Sequence, residues 1–267
     1  RDFCLSRGLG DVYKRQLYAA CKATLKVADG QEITLHEQTN YPFEEKISFT
    51  VNTTEDVRFP FYLRIPSWCD QPELAINGKQ KEIDPIPGKY IYIDRTWTDG
   101  DKVELNLPMK LSIRTWQVNK NSVSVNYGPL TLSLKINEEY IQKDSRSTAI
   151  YDSRWQEGAD ATQWPSYEIF PKSPWNYALV LDSKVPLKNF KVIRKEWPSD
   201  NFPFTVSNVP LEVKAIGKQI PSWTLDKYGL CSELPETNAP KGDREEITLI
   251  PMGAARLRVS AFPNTYE

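Results

Sequence analysis

Apolar and polar residues alternate with a period of two through much of this chain, and this pattern strongly restricts the folds available to it. The apolar members of the three clearest runs are Ile47, Phe49 and Val51; Val57, Phe59, Phe61, Leu63 and Ile65; and Val103, Leu105 and Leu107. A period of two is typical of antiparallel sheets that bury one face. No long segment shows a helical apolar stripe. The sequence therefore predicts an all-β fold class, built as two packed antiparallel, jelly-roll-like β-sandwich domains.

Short turn signals separate these runs. Asp29-Gly30, Asn77-Gly78 and Asp99-Gly100 supply the positive φ values that tight hairpin turns require. Pro60 lies inside one run and cannot donate a hydrogen bond. It therefore predicts an edge strand or a bulge.

The strand pattern changes near residue 115, which predicts a domain boundary. Residues 17–115 are expected to form the first β-sandwich domain and residues 116–253 the second. Within the second domain, residues 137–177 show little strand pattern and are rich in aromatic residues and proline. A connection of this length is unusual in a compact domain, so we interpret it as an ordered insertion or a packed arm.

The first sixteen residues fit neither a strand nor a helix pattern. They read RDFCLSRGLGDVYKRQ and resemble translated adapter sequence of the kind that contaminates assembled metagenomic genes. We therefore expect residues 1–16 to be an unstructured sequencing artefact, with natural sequence beginning near Leu17.

The charge balance and the reactive residue types exclude several function classes. The 34 Lys and Arg residues nearly cancel the 35 Asp and Glu residues, so the chain lacks the basic character of a nucleic-acid-binding protein. No apolar run approaches the roughly 18 residues of a membrane span. The single histidine, His36, is expected on the polar face of a strand. The four cysteines have no metal-site spacing and are expected to be ordinary thiols; they are Cys4, Cys21, Cys69 and Cys231.

The aromatic arm supplies the candidate ligand-binding residues. Sugars stack their C–H faces on aromatic rings, and Tyr151 and Tyr177 lie in the same region as the four candidates for carbohydrate contact, which are Trp155, Trp164, Tyr167 and Trp175. Large rings also dominate burial energetics. Packing in the core or between domains is therefore the alternative interpretation for each ring.

Six segments together resemble the C-terminal region of glycoside hydrolase family 127, the β-L-arabinofuranosidase family. They are TNYPFEEKISFTV (39–51), FYLRIPSWC (61–69), YIYIDRTWTDGDKVELNLPM (90–109), SVNYGPLTLSL (124–134), EIFPKSPWNYALVLD (168–182) and EEITLIPMGAARLRVSAFP (245–263). The resemblance implies that an N-terminal (α/α)6-barrel catalytic domain precedes these β-sandwich domains. It also implies that the last strand, 254–263, returns to the first sandwich.

The same resemblance implies where the chemistry lies. Characterised members use a cysteine thiolate nucleophile held with further cysteines and a glutamate around zinc, and these ligands lie in the barrel. This sequence has no adjacent cysteine pair. We therefore assign no catalytic residue, no metal ligand and no cofactor to it, and we expect zinc in the missing catalytic domain.

Three functions compete at this point. The first is an accessory β-region that packs on the missing barrel, with a homodimer as a further option. The second is a free-standing carbohydrate-binding module, which would expose coplanar rings at a groove. The third, a structural sandwich of immunoglobulin type, lacks the Cys…Trp…Cys signature. We assign no compartment to this chain. The family resemblance suggests a periplasmic or secreted bacterial parent protein.

Overall fold

The structure is a computed structural model that describes residues 13–28, 30–148, 158–227 and 229–267. Within these ranges the regular secondary structure is almost entirely β-strand, which confirms the predicted fold class. It separates into two compact units, and the boundary between them lies at Leu111. The short segment Tyr127–Leu130 belongs to the first unit. None of the helices in the described part of the chain is long and apolar enough to cross a membrane.

The first unit contains a three-stranded sheet and a six-stranded sheet. Its strands are β1 (Tyr13–Arg15), β2 (Cys21–Val27), β3 (Gln31–Thr39), β4 (Lys46–Thr53), β5 (Val57–Arg64), β6 (Glu73–Ile76), β7 (Lys79–Lys81), β8 (Tyr90–Trp97) and β9 (Lys102–Asn106). The sheet orders are β1-β5-β8 and β2-β3-β4-β9-β6-β7. All described pairings here are antiparallel except β1 with β5, which is parallel.

The predicted alternation places the core of this unit between its two sheets. Phe49 of β4 contacts Phe61 of β5 edge-to-face, with ring centroids 5.1 Å apart. The Trp97 indole, fully buried, donates to the Phe59 carbonyl at 2.9 Å. All of the apolar residues in the three predicted runs are buried. The first unit is therefore a two-sheet sandwich.

Three expectations for this unit need correction. Residues 13–15 are not unstructured, because they form β1 and Arg15 is buried. Asp99-Gly100 does not close a hairpin, because β8 and β9 belong to different sheets. Nor is the strand that contains Pro60 an edge strand, because β5 lies between β1 and β8. The described β1 pairing begins at Phe61, so the proline is just outside it.

The second unit is organised around one eight-stranded sheet. Its elements are β10 (Leu111–Trp116), β11 (Ser122–Tyr127), β12 (Leu130–Leu134), β13 (Glu138–Lys143), α1 (Ser145–Thr148), a 3-10 helix (Ala161–Gln163), β14 (Ser166–Pro171), β15 (Tyr177–Leu181), β16 (Lys191–Arg194), β17 (Leu211–Gln219), β18 (Arg244–Pro251), a second 3-10 helix (Met252–Ala254) and β19 (Asn264–Tyr266). The order is β10-β11-β12-β18-β17-β15-β19, and β16 also pairs with β17. Every residue of β15 is buried, so this strand is covered on both faces.

The predicted arm, 137–177, is more regular than its sequence indicated. Strands β13 and β14 form a separate antiparallel hairpin in register from Glu138 with Pro171 to Lys143 with Ser166. Residues 149–157 lie outside the described part of the chain. Alternation is absent from the hairpin sequence because the large apolar side chains on both of its faces are partly exposed; they include Tyr140, Ile141, Tyr167 and Phe170.

Residues 254–263 lie in the second unit, whereas the family resemblance predicted a return to the first. Phe262 exchanges backbone hydrogen bonds of 2.8 and 2.9 Å with Val123. The Leu134 amide donates to the Val259 carbonyl, and the Leu179 amide donates to the Pro263 carbonyl, each at 2.8 Å. These bonds fix the segment to strands of the eight-stranded sheet.

Candidate functional site

A concave site of about 540 Å³ lies in the second unit. This volume is in the range of small-molecule sites. Strand β14, the loop 225–231 and the segment 257–259 form its walls, and Ile136 and Trp175 complete the lining. Most of the lining is apolar, and its polar side chains are few: Glu168, Lys227, Cys231 and Arg258. The site can therefore bind an apolar or aromatic face and orient it through a small number of charges.

One wall is fixed by the carboxylate of Glu138 on β13. Its Oε1 accepts hydrogen bonds from the backbone amides of Arg256 at 2.8 Å and Leu257 at 3.1 Å. Its Oε2 accepts the Tyr140 hydroxyl at 2.6 Å, and this bond raises the pKa of Tyr140. The hairpin and the segment that carries Arg258 are thereby joined through one side chain.

A second wall, the loop 225–231, is closed on itself by Asp226. The Asp226 amide donates to the Leu230 carbonyl at 2.7 Å, and the Leu230 amide donates back to Asp226 Oδ1 at 2.9 Å. An isolated bridge joins Leu225 with Cys231 at the two ends of the loop. These bonds hold Leu225 and Leu230 at the cavity although both are exposed.

Trp175 is the aromatic side chain that is best fixed at this site. It packs edge-to-face on Trp223, with ring centroids 5.0 Å apart. The side-chain amide of Asn176 donates to the carbonyls of Ile220 at 2.8 Å and Trp223 at 3.1 Å. The ring is therefore held in place before any ligand arrives, which lowers the entropic cost of binding.

The structure brings together only part of the predicted carbohydrate-contact set. Trp175 lines the cavity. Tyr167 is half-exposed and packs edge-to-face on Tyr140 at 6.1 Å, and Trp164 is 69% exposed just before β14. Trp155 lies outside the described residues. Sugar contact by these four residues stays a prediction.

Sequence reasoning missed Phe170 and Arg258, which also line the cavity. Phe170 is three residues beyond Tyr167 on the same strand, and a search for aromatic residues along the arm could have included it. No local signal could have placed Arg258 here. Arg258 reaches the site because the two residues before it, Arg256 and Leu257, are bonded through their backbone amides to the distant Glu138 carboxylate.

Four reactive side chains of the first unit lie away from the candidate site: Arg15, Glu37, Cys21 and Cys69 are not among the residues that line it. Arg15 and Glu37, both nearly fully buried, form an ion pair at 2.5 Å, and the Cys21 sulfur lies 3.9 Å from the Glu37 carboxylate. Burial raises the pKa of Glu37 to about 7, against the opposing effect of Arg15. Burial also raises the pKa of the Cys69 thiol to about 11.

Two further expectations concern metal-ligating residues. His36 is exposed on β3, as its position in the alternation predicted. Within the described ranges, no three His, Cys, Asp or Glu side chains are grouped so that they could hold a metal ion. Cys4 lies outside those ranges.

Comparison with known proteins gives a family match within the first unit. Residues 12–109 match the family model described as beta-L-arabinofuranosidase, GH127 middle domain. A search of curated proteins gave no significant match.

Solved structures extend the similarity over nearly the whole chain. Ara127N, a GH127 beta-L-arabinofuranosidase from Geobacillus stearothermophilus T6, is 20% identical over 98% of this chain, with a TM-score of 0.62. BT3674, a GH127 beta-arabinofuranosidase, is 20% identical over 98%, with a TM-score of 0.60. A third structure, a glycoside hydrolase, is 18% identical over 95%, with a TM-score of 0.59.

The chain spans only 35–36% of the length of these three structures. At such identities the likeness establishes the shared fold alone. Residues 12–109 thus match a GH127 middle domain, and over this part of the chain the resemblance to glycoside hydrolase family 127 predicted from the sequence is confirmed.

Proposed function

We propose that this chain is a non-catalytic β-region of a family 127 glycoside hydrolase and that it supports a catalytic barrel domain outside this sequence. The observation that carries the proposal is the match of residues 12–109 to a middle domain, combined with coverage of about a third of each similar structure. The parent activity would be hydrolysis of terminal arabinofuranosyl or related glycosides.

The state of the thiols supports a non-catalytic role. A cysteine nucleophile acts as the thiolate, which a lowered pKa favours. The pKa of Cys69 is instead raised to about 11 by burial. Cys21 lies at the buried Arg15–Glu37 pair, with its sulfur 3.6 Å from Arg15 Nη2 and 3.9 Å from Glu37 Oε2, and it does not line the candidate cavity.

The state of the carboxylates supports the same role. Glu212 accepts hydrogen bonds from Lys135 at 2.7 Å and Lys195 at 2.6 Å, and these bonds lower its pKa despite burial. Asp101 is likewise held ionised by Asn77, by a backbone amide and by Arg95. Glycosidases need one carboxyl protonated near neutral pH. Glu37 has such a pKa, but it is buried in the sandwich core.

The hairpin β13–β14 supports the packing part of the proposal. An isolated two-stranded hairpin is marginally stable in water. Here large apolar side chains are exposed on both faces, and they include Tyr140 at 50% and Phe170 at 40%. Exposed apolar surface of this kind marks interaction sites. A catalytic domain that covered the hairpin would remove it from water.

The test is to recover the gene from an intact template and to express the encoded hydrolase with and without the region that corresponds to residues 13–267. The proposal predicts that the catalytic domain alone melts at a lower temperature and is less soluble. Substitution of Tyr140 and Phe170 by serine in the intact protein should reproduce part of this loss. An unchanged melting temperature in both comparisons would contradict the supporting role.

A carbohydrate-binding module is the second candidate, and the placement of Trp175 in the cavity favours it specifically. Arabino-oligosaccharides should then quench tryptophan fluorescence of the purified chain, and Trp175→Ala should abolish the response. Trp164→Ala is the matched control, because Trp164 is exposed outside the cavity lining. Equal responses of both variants, or no response of the unmodified chain, would exclude this candidate.

A further inference from the structure

The outward face of the sheet β1-β5-β8 has an unusual composition. Side chains that alternate with the buried core residues point away from the core on both long strands. They are Arg58, Pro60, Tyr62 and Arg64 on β5, and Tyr90, Tyr92, Asp94 and Thr96 on β8. Lys14 of β1 lies in register with Tyr62 on the same face. We call these nine residues the tyrosine face.

The tyrosine face differs from a surface built for permanent burial against another domain. Obligate interfaces resemble a hydrophobic core cut in half. The nine positions hold no Leu, Ile, Val, Phe or Met. Tyrosine and arginine dominate instead, and both combine a flat surface with hydrogen-bond donors. This composition suits a hydrated, polyhydroxylated ligand.

Three side chains form a stack across the strands of this face. The Lys14 ammonium lies 5.4 Å from the centroid of the Tyr62 ring. Tyr62 stacks on Tyr92 with centroids 5.6 Å apart and an interplanar angle of 24°. Tyr92 is the last member, on the edge strand β8, and it is 63% exposed. Its ring is therefore available to a ligand. Sugar C–H groups carry partial positive charge and are attracted to such a ring.

The charges of the face give it a net positive character. Arg58 and Asp94 neutralise each other in a two-bond pair, with Nε–Oδ1 at 3.2 Å and Nη2–Oδ2 at 3.0 Å. Lys14 and Arg64 remain, and Arg64 lies in register with Tyr90, next to the row of the stack. Two cations beside an open ring fit a ligand that carries carboxylates.

We propose that the tyrosine face binds an anionic polysaccharide whose sugar rings carry uronate carboxylates. One sugar ring stacks on Tyr92, and neighbouring carboxylates pair with Arg64 and Lys14. This binding function goes beyond the supporting role proposed above, because it uses a different surface and requires no catalytic domain.

The test is affinity electrophoresis of the purified chain in native gels that contain polygalacturonate. The matched control polymer is the same polysaccharide with its carboxylates methyl-esterified. The proposal predicts retardation by polygalacturonate only, and the retardation should weaken as salt is raised. Tyr92→Ala and Arg64→Ala should each weaken binding by about fivefold. Tyr92→Phe should retain binding, and Tyr140→Ala, a change in the second unit, should have no effect.

Both alanine substitutions are at outward positions, and an unchanged melting temperature will show that the variants remain folded. Equal retardation by the two polymers, or retardation that survives both substitutions, would overturn the proposal. No retardation together with a Tyr92-dependent change in oligomeric state on gel filtration would assign the face to a protein contact. That outcome would also overturn it.

Discussion

The buried ion pair between Arg15 and Glu37 provides the sharpest test of how the first unit is held together. The two side chains are 1% and 2% exposed, and their closest N–O distance is 2.5 Å. Arg15 also donates to the Ala19 carbonyl at 3.1 Å, and the Ala19 amide donates to Glu37 at 3.0 Å. Removal of one partner from such a pair typically costs about 3–5 kcal/mol, because the remaining charge stays buried without compensation.

We therefore expect Arg15→Met to lower the free energy of unfolding by about 3–5 kcal/mol at pH 8. The double variant Arg15→Met/Glu37→Leu removes both charges and should lose much less, with a coupling free energy of about 2 kcal/mol or more. Lys14→Met is the matched control on the same strand but on its outward face, and it should cost less than about 1 kcal/mol. Urea titration of the four proteins gives these differences.

The pH dependence of Glu37 has a definite sign. Its pKa in the folded chain, about 7, is above its ordinary value of 4.5. Between these values the folded state binds more protons than the unfolded state, so the stability contributed by this group falls as pH rises from about 4.5 to about 7. The wild type should therefore lose about 3 kcal/mol relative to Glu37→Gln over this window. Above about pH 7 the ionised Glu37 carboxylate depends on its ion pair with Arg15. Arg15→Met should therefore lower the free energy of unfolding more at pH 8 than at pH 5.

Two results would refute this reasoning. A cost below about 1 kcal/mol for Arg15→Met at pH 8 would mean that the pair is not buried as described. Additive effects of the two substitutions would mean that the side chains do not interact. Either result would also favour the original expectation that residues 13–15 are not part of the folded domain.

Three further predictions concern local contacts. Gly128→Ala should destabilise the chain by roughly 2–4 kcal/mol in urea titration, because φ is +52° and a Cβ would lie 2.6 Å from Met109 Cγ; an unchanged midpoint would contradict it. Cys231 is exposed and should react with a thiol reagent in the folded protein, whereas the buried Cys69 should react only on unfolding. Peptide mapping by mass spectrometry would measure the two labelling rates, and equal rates would contradict this prediction. Glu138→Ala should cost about 1–2 kcal/mol and speed amide exchange at residues 256–257, whose hydrogen bonds it removes; unchanged exchange there would contradict it.

The sequence predicted those parts of the fold that follow from one buried face. The alternation of β4, β5 and β9 identified their core residues because each strand is covered on one side only. The Asn77-Gly78 turn between β6 and β7 was predicted for the same local reason, since both residues have positive φ. Features of this kind need no knowledge of the rest of the chain.

The sequence could not predict features that depend on distant partners. The parallel pairing of β15 with β19 joins segments more than eighty residues apart, and no turn signal connects them. The hairpin β13–β14 was missed because partial exposure of both faces removes the alternation. The burial of Glu37, in contrast, follows from the local pattern. Glu37 continues the inward positions of Ile33 and Leu35, so the period of two places it in the core despite its charge.

The candidate site was predicted in part for the same reason. Trp175 was selected as one of several aromatic residues in the arm, and its placement in the cavity depends on Trp223 and on hydrogen bonds of Asn176 to residues that follow β17. Trp164 had an equally strong sequence signal but is exposed outside the cavity lining. Aromatic content therefore located the region, and long-range packing decided which ring lines the cavity.

Turnover of a chromogenic arabinofuranoside by the purified chain, measured with and without added Zn²⁺, tests the central claim most directly. The account predicts no release above the uncatalysed rate under either condition, because burial raises the pKa of the Cys69 thiol to about 11 and the Glu37 carboxyl, whose pKa is about 7, is buried in the core of the first unit. Zinc-dependent release that a cysteine-to-alanine substitution abolishes would contradict it and would place the catalytic centre within this chain.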